Sequence, residues 1–275
     1  METKLHKSID KSKSVKSIKD PVRYIPDMFG FDFPNHNPSD ISVAILDTGL
    51  PSHSDFNHIP KCTKSSCIDL LASKCDVSDS NGHATAISGV LCGANPGGIM
   101  GMCPSANYLF CKVMDDEGNG NTNNITAGLL WAIGQNFDVA LLSNGSAIND
   151  RYLNKIIKKC YDMKKIMVIA SGREITRTSK HLYPAAYDGV ISCSSSRSNR
   201  VRFFPDNNRL EIDLNMTSLW STFLNDSYIK VGGSSMAAAI TCGAVVNFVY
   251  QLKNNDVQWN SVGDFMKLFY EKIRK

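Results

Sequence analysis

The chain has 275 residues, 43% of them hydrophobic and 20% charged, with a formal net charge of +4. That length suffices to bury a full core as one α/β domain, and so small a positive excess gives no electrostatic case for a nucleic-acid partner. No apolar signal-type segment opens the sequence and no stretch reads as long enough to span a bilayer, so the expectation is a cytoplasmic protein without membrane contact.

The elements follow in chain order. Residues 1–20 carry six lysines against three acids and little apolar surface, so residues 1–22 read as a basic mobile tail ahead of a single domain over 23–275. Tyr24-Ile25-Pro26 reads as a linker between the two, the alternative being an extended, proline-containing segment that occupies a strand-binding cleft yet resists cleavage. Val43 to Leu46 is a short apolar, β-rich run closed by Asp47 and Gly49, the pattern of a buried parallel strand that delivers an acid at its carboxyl end. After Gly82, His83 opens a stretch with apolar residues at Ala86, Ile87, Val90, Leu91 and Ala94. This is helical spacing, and it puts His83 in a first turn.

Further on, apolar runs at Tyr108–Val113, Val139–Leu142, Ile166–Ala170 and Val190–Cys193 alternate with helical patterns at Ile125–Ile133 and Tyr152–Tyr161. Alternation of this kind predicts an α/β fold with a central, mostly parallel sheet. Gly232-Gly233 frees the backbone for a tight approach, and Met236, Ala239, Ile240, Gly243 and Ala244 continue as one helical face. Ser235 thus starts a helix whose free N–H groups and positive dipole end favour developing negative charge. Of nine cysteines, Cys92, Cys103, Cys111, Cys193 and Cys242 fall in predicted core elements and read as reduced, buried small hydrophobes. Cys62, Cys67 and Cys75 lack a Cys-x-x-Cys pair and have only His58 nearby, so loop thiols are expected there rather than zinc.

Three segments together carry a resemblance. They are Ile41-Ser42-Val43-Ala44-Ile45-Leu46-Asp47-Thr48-Gly49 with His53-Ser54-Asp55-Phe56 after it, then Asn81-Gly82-His83-Ala84-Thr85-Ala86-Ile87-Ser88-Gly89, then Gly233-Ser234-Ser235-Met236-Ala237-Ala238. In their order of Asp, His and Ser they resemble the subtilisin-like serine proteases, over roughly residues 26–252. Ala84 and Ala86 stand where that family has Gly and His, Ser234 where it usually has Thr, and Ala239-Ile240 where it has Pro-His.

The resemblance implies a three-layer α/β/α fold and a serine endopeptidase. It assigns attack on the substrate carbonyl to Ser235, proton transfer to His83, orientation of the imidazole to Asp47, and an acyl-enzyme intermediate. It also implies a polypeptide partner laid as a strand between two edges, Gly118-Asn119-Gly120 and Ser143-Asn144-Gly145, with Gly172 beside them. A structural calcium would take the side chains of Asp55 and Asn95 and the carbonyls of Gly93, Gly97 and Ile99. Tyr183-Pro184 matches a family loop and is a candidate cis peptide. Without a folded prodomain, the chain is similar to the intracellular subtilisins.

One position departs from the pattern in a way that touches the chemistry. Where the family has Ala-Gly-Asn, with the Asn amide aimed at the oxyanion, this chain has Ala170-Ser171-Gly172-Arg173. Arg173 either donates from its guanidinium, or swings into solvent, or marks a weakened homologue that binds peptides or regulates a partner without cutting.

Overall fold

A computed structural model describes residues 2–5 by their backbone, and residues 9–24, 37–56, 67–71, 76–172, 182–196 and 199–274 in full. The strands are β1 (Glu2–Leu5), β2 (Val22–Arg23), β3 (Ser42–Asp47), β4 (Cys67–Asp69), β5 (Ile99–Met100), β6 (Asn107–Lys112), β7 (Asn119–Asn121), β8 (Val139–Leu142), β9 (Asn144–Gly145), β10 (Ile166–Ala170), β11 (Ile191–Ser194), β12 (Arg200–Phe204), β13 (Arg209–Asp213), β14 (Leu219–Phe223) and β15 (Ser227–Val231). The α-helices are α1 (His83–Cys92), α2 (Thr122–Gly134), α3 (Arg151–Asp162), α4 (Ser234–Asn254) and α5 (Val262–Ile273).

Eight strands make the central sheet in the order β12-β13-β11-β10-β8-β3-β6-β4, parallel throughout except for β12 at one edge. Because side chains alternate across a strand, each strand feeds two cores. Val43 and Ile45 of β3 join the cluster that includes Leu91 of α1, Met236 and Val245 of α4 and Phe265 of α5. Ala44 and Leu46 join the opposite cluster with Ile125 and Leu129 of α2 and Leu153 and Ile157 of α3. Helices therefore cover both faces, and the architecture is three-layer α/β/α.

Helices α2, α3 and α5 start where capping side chains satisfy free backbone N–H groups. Asn121 accepts from Asn124 N ahead of α2, Asp150 accepts from Tyr152 N and Leu153 N ahead of α3, and Ser261 with Asp264 forms a capping box on α5. The strand and helix expectations hold to within a residue or three, and α5 lies beyond the span that the sequence resemblance covered.

Two expectations are corrected. The first concerns α4, whose 21 residues are long and apolar enough by composition to cross a membrane, although no such stretch was read in the sequence; 89% of its apolar window is buried inside the protein, as befits a core helix. The second concerns residues 1–22, of which the described residues 9–22 are not a free tail. Val15 exchanges both main-chain bonds with Tyr228, Val22 pairs with Ile99, and Ile9, Ile18 and Val22 pack against the core. Spaced singly among lysines, these apolar residues give no periodic signal, yet each finds a neighbour on the domain. Of Tyr24-Ile25-Pro26 only Tyr24 is among the described residues; it is buried and its hydroxyl donates to the Trp220 carbonyl.

Candidate active site

The site is built from the carboxyl end of the parallel sheet, where open α/β sheets leave side chains free for chemistry. Asp47 is the last residue of β3, held on both sides by β6 and β8. Its Oδ1 accepts from Thr48 N at 2.8 Å and from His83 Nδ1 at 2.8 Å, while its buried Oδ2 has no partner. His83 is the first residue of α1, entered through Gly82 at φ 98°. Burial by itself would lower the His83 pKa, but the charge of Asp47, the bond to it and the charge of Asp79 outweigh burial and hold it above the ordinary value. With Nδ1 committed to Asp47, Nε2 is the nitrogen left for a reacting proton.

Asp79 was not singled out in the sequence. Its Oδ1 accepts from Thr48 Oγ1, Asn81 N and Gly82 N, and its Oδ2 from Thr85 N and Thr85 Oγ1. An Asp four residues before a His that starts a helix is a legible capping signal, since such a carboxylate meets the free N–H groups of the first turn.

Ser235 is the second residue of α4, reached through Gly233 at φ 92°. The first α4 bond back to the entry turn comes from Ala237 N to Gly233 O, so the Ser235 N–H lies among the free donors of the helix start. Its hydroxyl reaches the Ser143 carbonyl at 3.5 Å, a weak tether. Ser234 is tied instead to the Gly172 carbonyl at 3.2 Å. His83, Gly172, Ser234 and Ser235 line one cleft of roughly 450 Å³. Arg173 lies outside the described residues.

The two segments read as cleft edges form short strands. Asn119 and Gly120 lie in β7 after Gly118, whose φ of 78° turns the chain; Asn144 and Gly145 form β9 after Ser143. Between these two edges lies β1, antiparallel to each, with Thr3 opposite Gly120, Lys4 opposite Gly145 and Leu5 opposite Asn144. Tyr183-Pro184 is cis, with Tyr183 bridged to Ser146.

The residues proposed for calcium do come together, but around hydrogen bonds. Asp55 accepts from Asn95 Nδ2 at 2.7 Å, Ile99 N at 2.8 Å and Tyr228 OH at 3.0 Å. Asn95 keeps its oxygen for Gly97 N, Ile99 O accepts from Asn95 N, and Gly93 O accepts from Gly101 N. A cation needs oxygens turned inward; here the carboxylate faces donors, so the residues as arranged do not fit the ion. No cluster of three or more His, Cys, Asp or Glu able to hold a metal occurs among the described residues. Cys92, Cys103, Cys111, Cys160, Cys193 and Cys242 are free and buried, whereas Cys67, expected as a loop thiol, is disulfide-bonded, which takes its sulfur out of play as a metal ligand.

Comparison with known proteins agrees with this arrangement. The subtilase family model matches residues 38–268, and the chain belongs to that family. It is 28% identical over 212 residues to Subtilisin DY of Bacillus licheniformis, covering 75% of each chain. It is also 28% identical over 227 residues to Subtilisin BL and to Subtilisin Savinase of Lederbergia lenta, covering 82% of this chain and 80% of each of theirs. The class so defined is a subtilisin-like serine peptidase, a hydrolase acting on polypeptides, and subtilases commonly hold structural calcium.

Proposed function

We propose that Asp47, His83 and Ser235 carry the peptide hydrolysis of this chain. The observation behind the assignment is the buried 2.8 Å bond from His83 Nδ1 to Asp47, opening on a cleft that also holds the first turn of α4. As the Ser235 Oγ–carbonyl bond forms, the hydroxyl proton passes to His83 Nε2; the imidazolium then returns it to the leaving amine as the C–N bond breaks. Water attacks the acyl-enzyme by the same route in reverse. Asp47 fixes the tautomer and stabilises the imidazolium without taking the proton. The Ser235 N–H and the positive end of α4 lie where an oxyanion would form, and β7 and β9 supply main-chain partners for an extended substrate. Calcium would have to turn the Asn95 amide over and displace the Ile99 N–H from Asp55.

A fluorophosphonate probe, which labels only an activated serine, tests the assignment. Labelling and peptide hydrolysis are expected in the native chain and in Ser234→Ala, and are expected to vanish in Ser235→Ala with the melting temperature unchanged. Labelling that survives Ser235→Ala would refute it. A chain that binds peptide but never labels would instead be a non-cutting homologue.

A further inference from the structure

We propose that the exposed face of α3 is a second substrate contact, a basic track for an acidic segment of the polypeptide upstream of the bond to be cut. The inference rests on the proposed assignment of peptide hydrolysis to the cleft edged by β7 and β9, and it names a substrate class for that site.

Charge is the first observation. Among residues 151–165 six are Lys or Arg and one, Asp162, is acidic, a local charge of +5 against +4 for the whole chain. The rest of the molecule is therefore close to neutral, and its positive field originates here. Leu153, Ile157 and Cys160 are buried, which leaves Arg151, Lys155, Lys158 and Lys159 exposed at i, i+4, i+7 and i+8, one stripe along the helix. Lys158 pairs with Asp162 at 3.3 Å, whereas Arg151, Lys155 and Lys159 form no ion pair among the described residues. Tyr152, 75% exposed, lies beneath Lys155 Nζ and adds an aromatic surface beside the charges. Helix α2 packs against α3 and carries no charged residue, so this neighbour does not neutralise the stripe. A cation in the first turn also works against the helix dipole, yet Arg151 stands there and no acid does.

Position is the second observation, and it ties the stripe to the cleft. Thr122, the residue after β7, donates from Oγ1 to Asp150 Oδ2 at 2.6 Å, and Asp150, five residues after β9, caps α3. Both edges thus meet at the helix start, and Arg151 is the next residue. Strand β9 leads away from Ser143, whose carbonyl meets Ser235 Oγ, so a strand added in the antiparallel sense that this edge shows has its amino end on the α3 side. Gly145 to Arg151 is six Cα steps, at most about 21 Å. From Arg151 to Lys159 the helix adds about 12 Å. An acidic run that begins about six residues upstream of the residue opposite Gly145 therefore reaches the stripe. The apolar side of α3 is already in the core, which leaves the helix nothing to insert into a bilayer. A track that starts at the edge of a peptide cleft favours the chain lying in that cleft over a separate nucleic acid. Joining the two contacts in one substrate lowers KM and leaves kcat unchanged.

Three peptide amides with one cleavable sequence provide the test: bare, extended upstream by a Gly-Ser linker and a run of glutamates, and extended downstream by the same addition. In the native chain the upstream extension is expected to lower KM about tenfold at constant kcat, and the gain to vanish in 1 M salt, where charges are screened within about 3 Å. The triple change Arg151→Gln, Lys155→Gln and Lys159→Gln touches exposed side chains only; it is expected to keep the melting temperature and the turnover of the bare peptide while losing the gain. No gain, an equal gain from the downstream extension, or a gain that survives the triple change overturns the proposal. Binding is read separately in Ser235→Ala with the fluorescein-labelled upstream peptide, and is expected to weaken about tenfold when the triple change is added. A labelled thymidine oligonucleotide of matched charge that binds tighter than this peptide, and is lost with the same three residues, would overturn the proposal and assign the face to nucleic acid. Absence of hydrolysis in every Ser235 chain, alongside peptide binding that the triple change removes, would discard the catalytic assignment and keep the track.

Discussion

Thr48 Oγ1 donates to Asp79 Oδ1 at 2.8 Å, and this bond ties the strand end that carries Asp47 to the loop that launches His83. Thr48 Oγ1 in turn accepts from Ala84 N at 3.0 Å, so the two catalytic candidates share one scaffold. Asp79 is 7% exposed and meets five donors, and its charge helps to raise the His83 pKa. Asp79→Asn turns one acceptor into a donor facing N–H groups, which is expected to cost about 1–3 kcal/mol of stability. Losing the charge lowers the His83 pKa. Since the neutral imidazole is the base, the acid limb of kcat/KM is expected to move to lower pH. A limb that stays in place, or moves up, would show that Asp79 only braces the fold.

Gly82 is the second support of His83. At φ 98° it occupies left-handed space, and a Cβ added there would lie 2.3 Å from Phe223 Cε2. Gly82→Ala combines backbone strain with a clash against a buried ring, each on the order of 1–3 kcal/mol. The adjacent imidazole would shift off its bond to Asp47. The expected outcome is a lower melting temperature together with a fall in kcat that exceeds any change in KM. A variant as stable and as fast as the native chain would mean that α1 can start without this turn.

Asp55 accepts from three donors, of which Ile99 N and Tyr228 OH belong to buried residues. Asp55→Ala strands the Asn95 amide, the Ile99 N–H and the Tyr228 hydroxyl, and a loss of about 2–4 kcal/mol is expected. The loss should be the same in calcium and in chelator, because the bonds that disappear are hydrogen bonds. Thermal melts of both chains in both buffers check this. A native chain that gains several degrees from calcium, with the gain lost in Asp55→Ala, would restore a metal role for the site.

The parts of this fold that could be read from sequence are those governed by periodicity. Val139–Leu142 and Ile166–Ala170 are continuous apolar runs because both faces of each strand are buried, and their bounds match the observed β8 and β10. Asp47, His83 and Ser235 stood out because each combines a reactive side chain with a strand end or helix start. What stayed hidden depends on partners remote in sequence. Nothing in Glu2–Leu5 reveals that Gly120 and Gly145 accept it, since main-chain pairing leaves no side-chain pattern. The turn of the Asn95 amide toward Asp55 is likewise set by Gly97 N holding the oxygen, a choice that residue identity alone leaves open.

The last prediction concerns the residue after Gly172. Gly172, at φ 92°, lines the cleft, and its carbonyl accepts from Ser234 Oγ at 3.2 Å, so the chain leaves for residue 173 from the lip of the site. An oxyanion donor acts once charge develops on the carbonyl oxygen, which places its effect in kcat rather than KM. Loss of one such donor in a subtilisin lowers kcat by about 10²–10³. Arg173→Asn supplies a short, neutral amide at that position and is expected to raise kcat by up to about a hundredfold, with KM nearly constant, whereas Arg173→Ala gives no gain. Steady-state kinetics on a short peptide amide measure this effect. A fall in kcat for both variants would show that the guanidinium already serves the oxyanion, and equal kcat for all three chains would show that position 173 does not reach it.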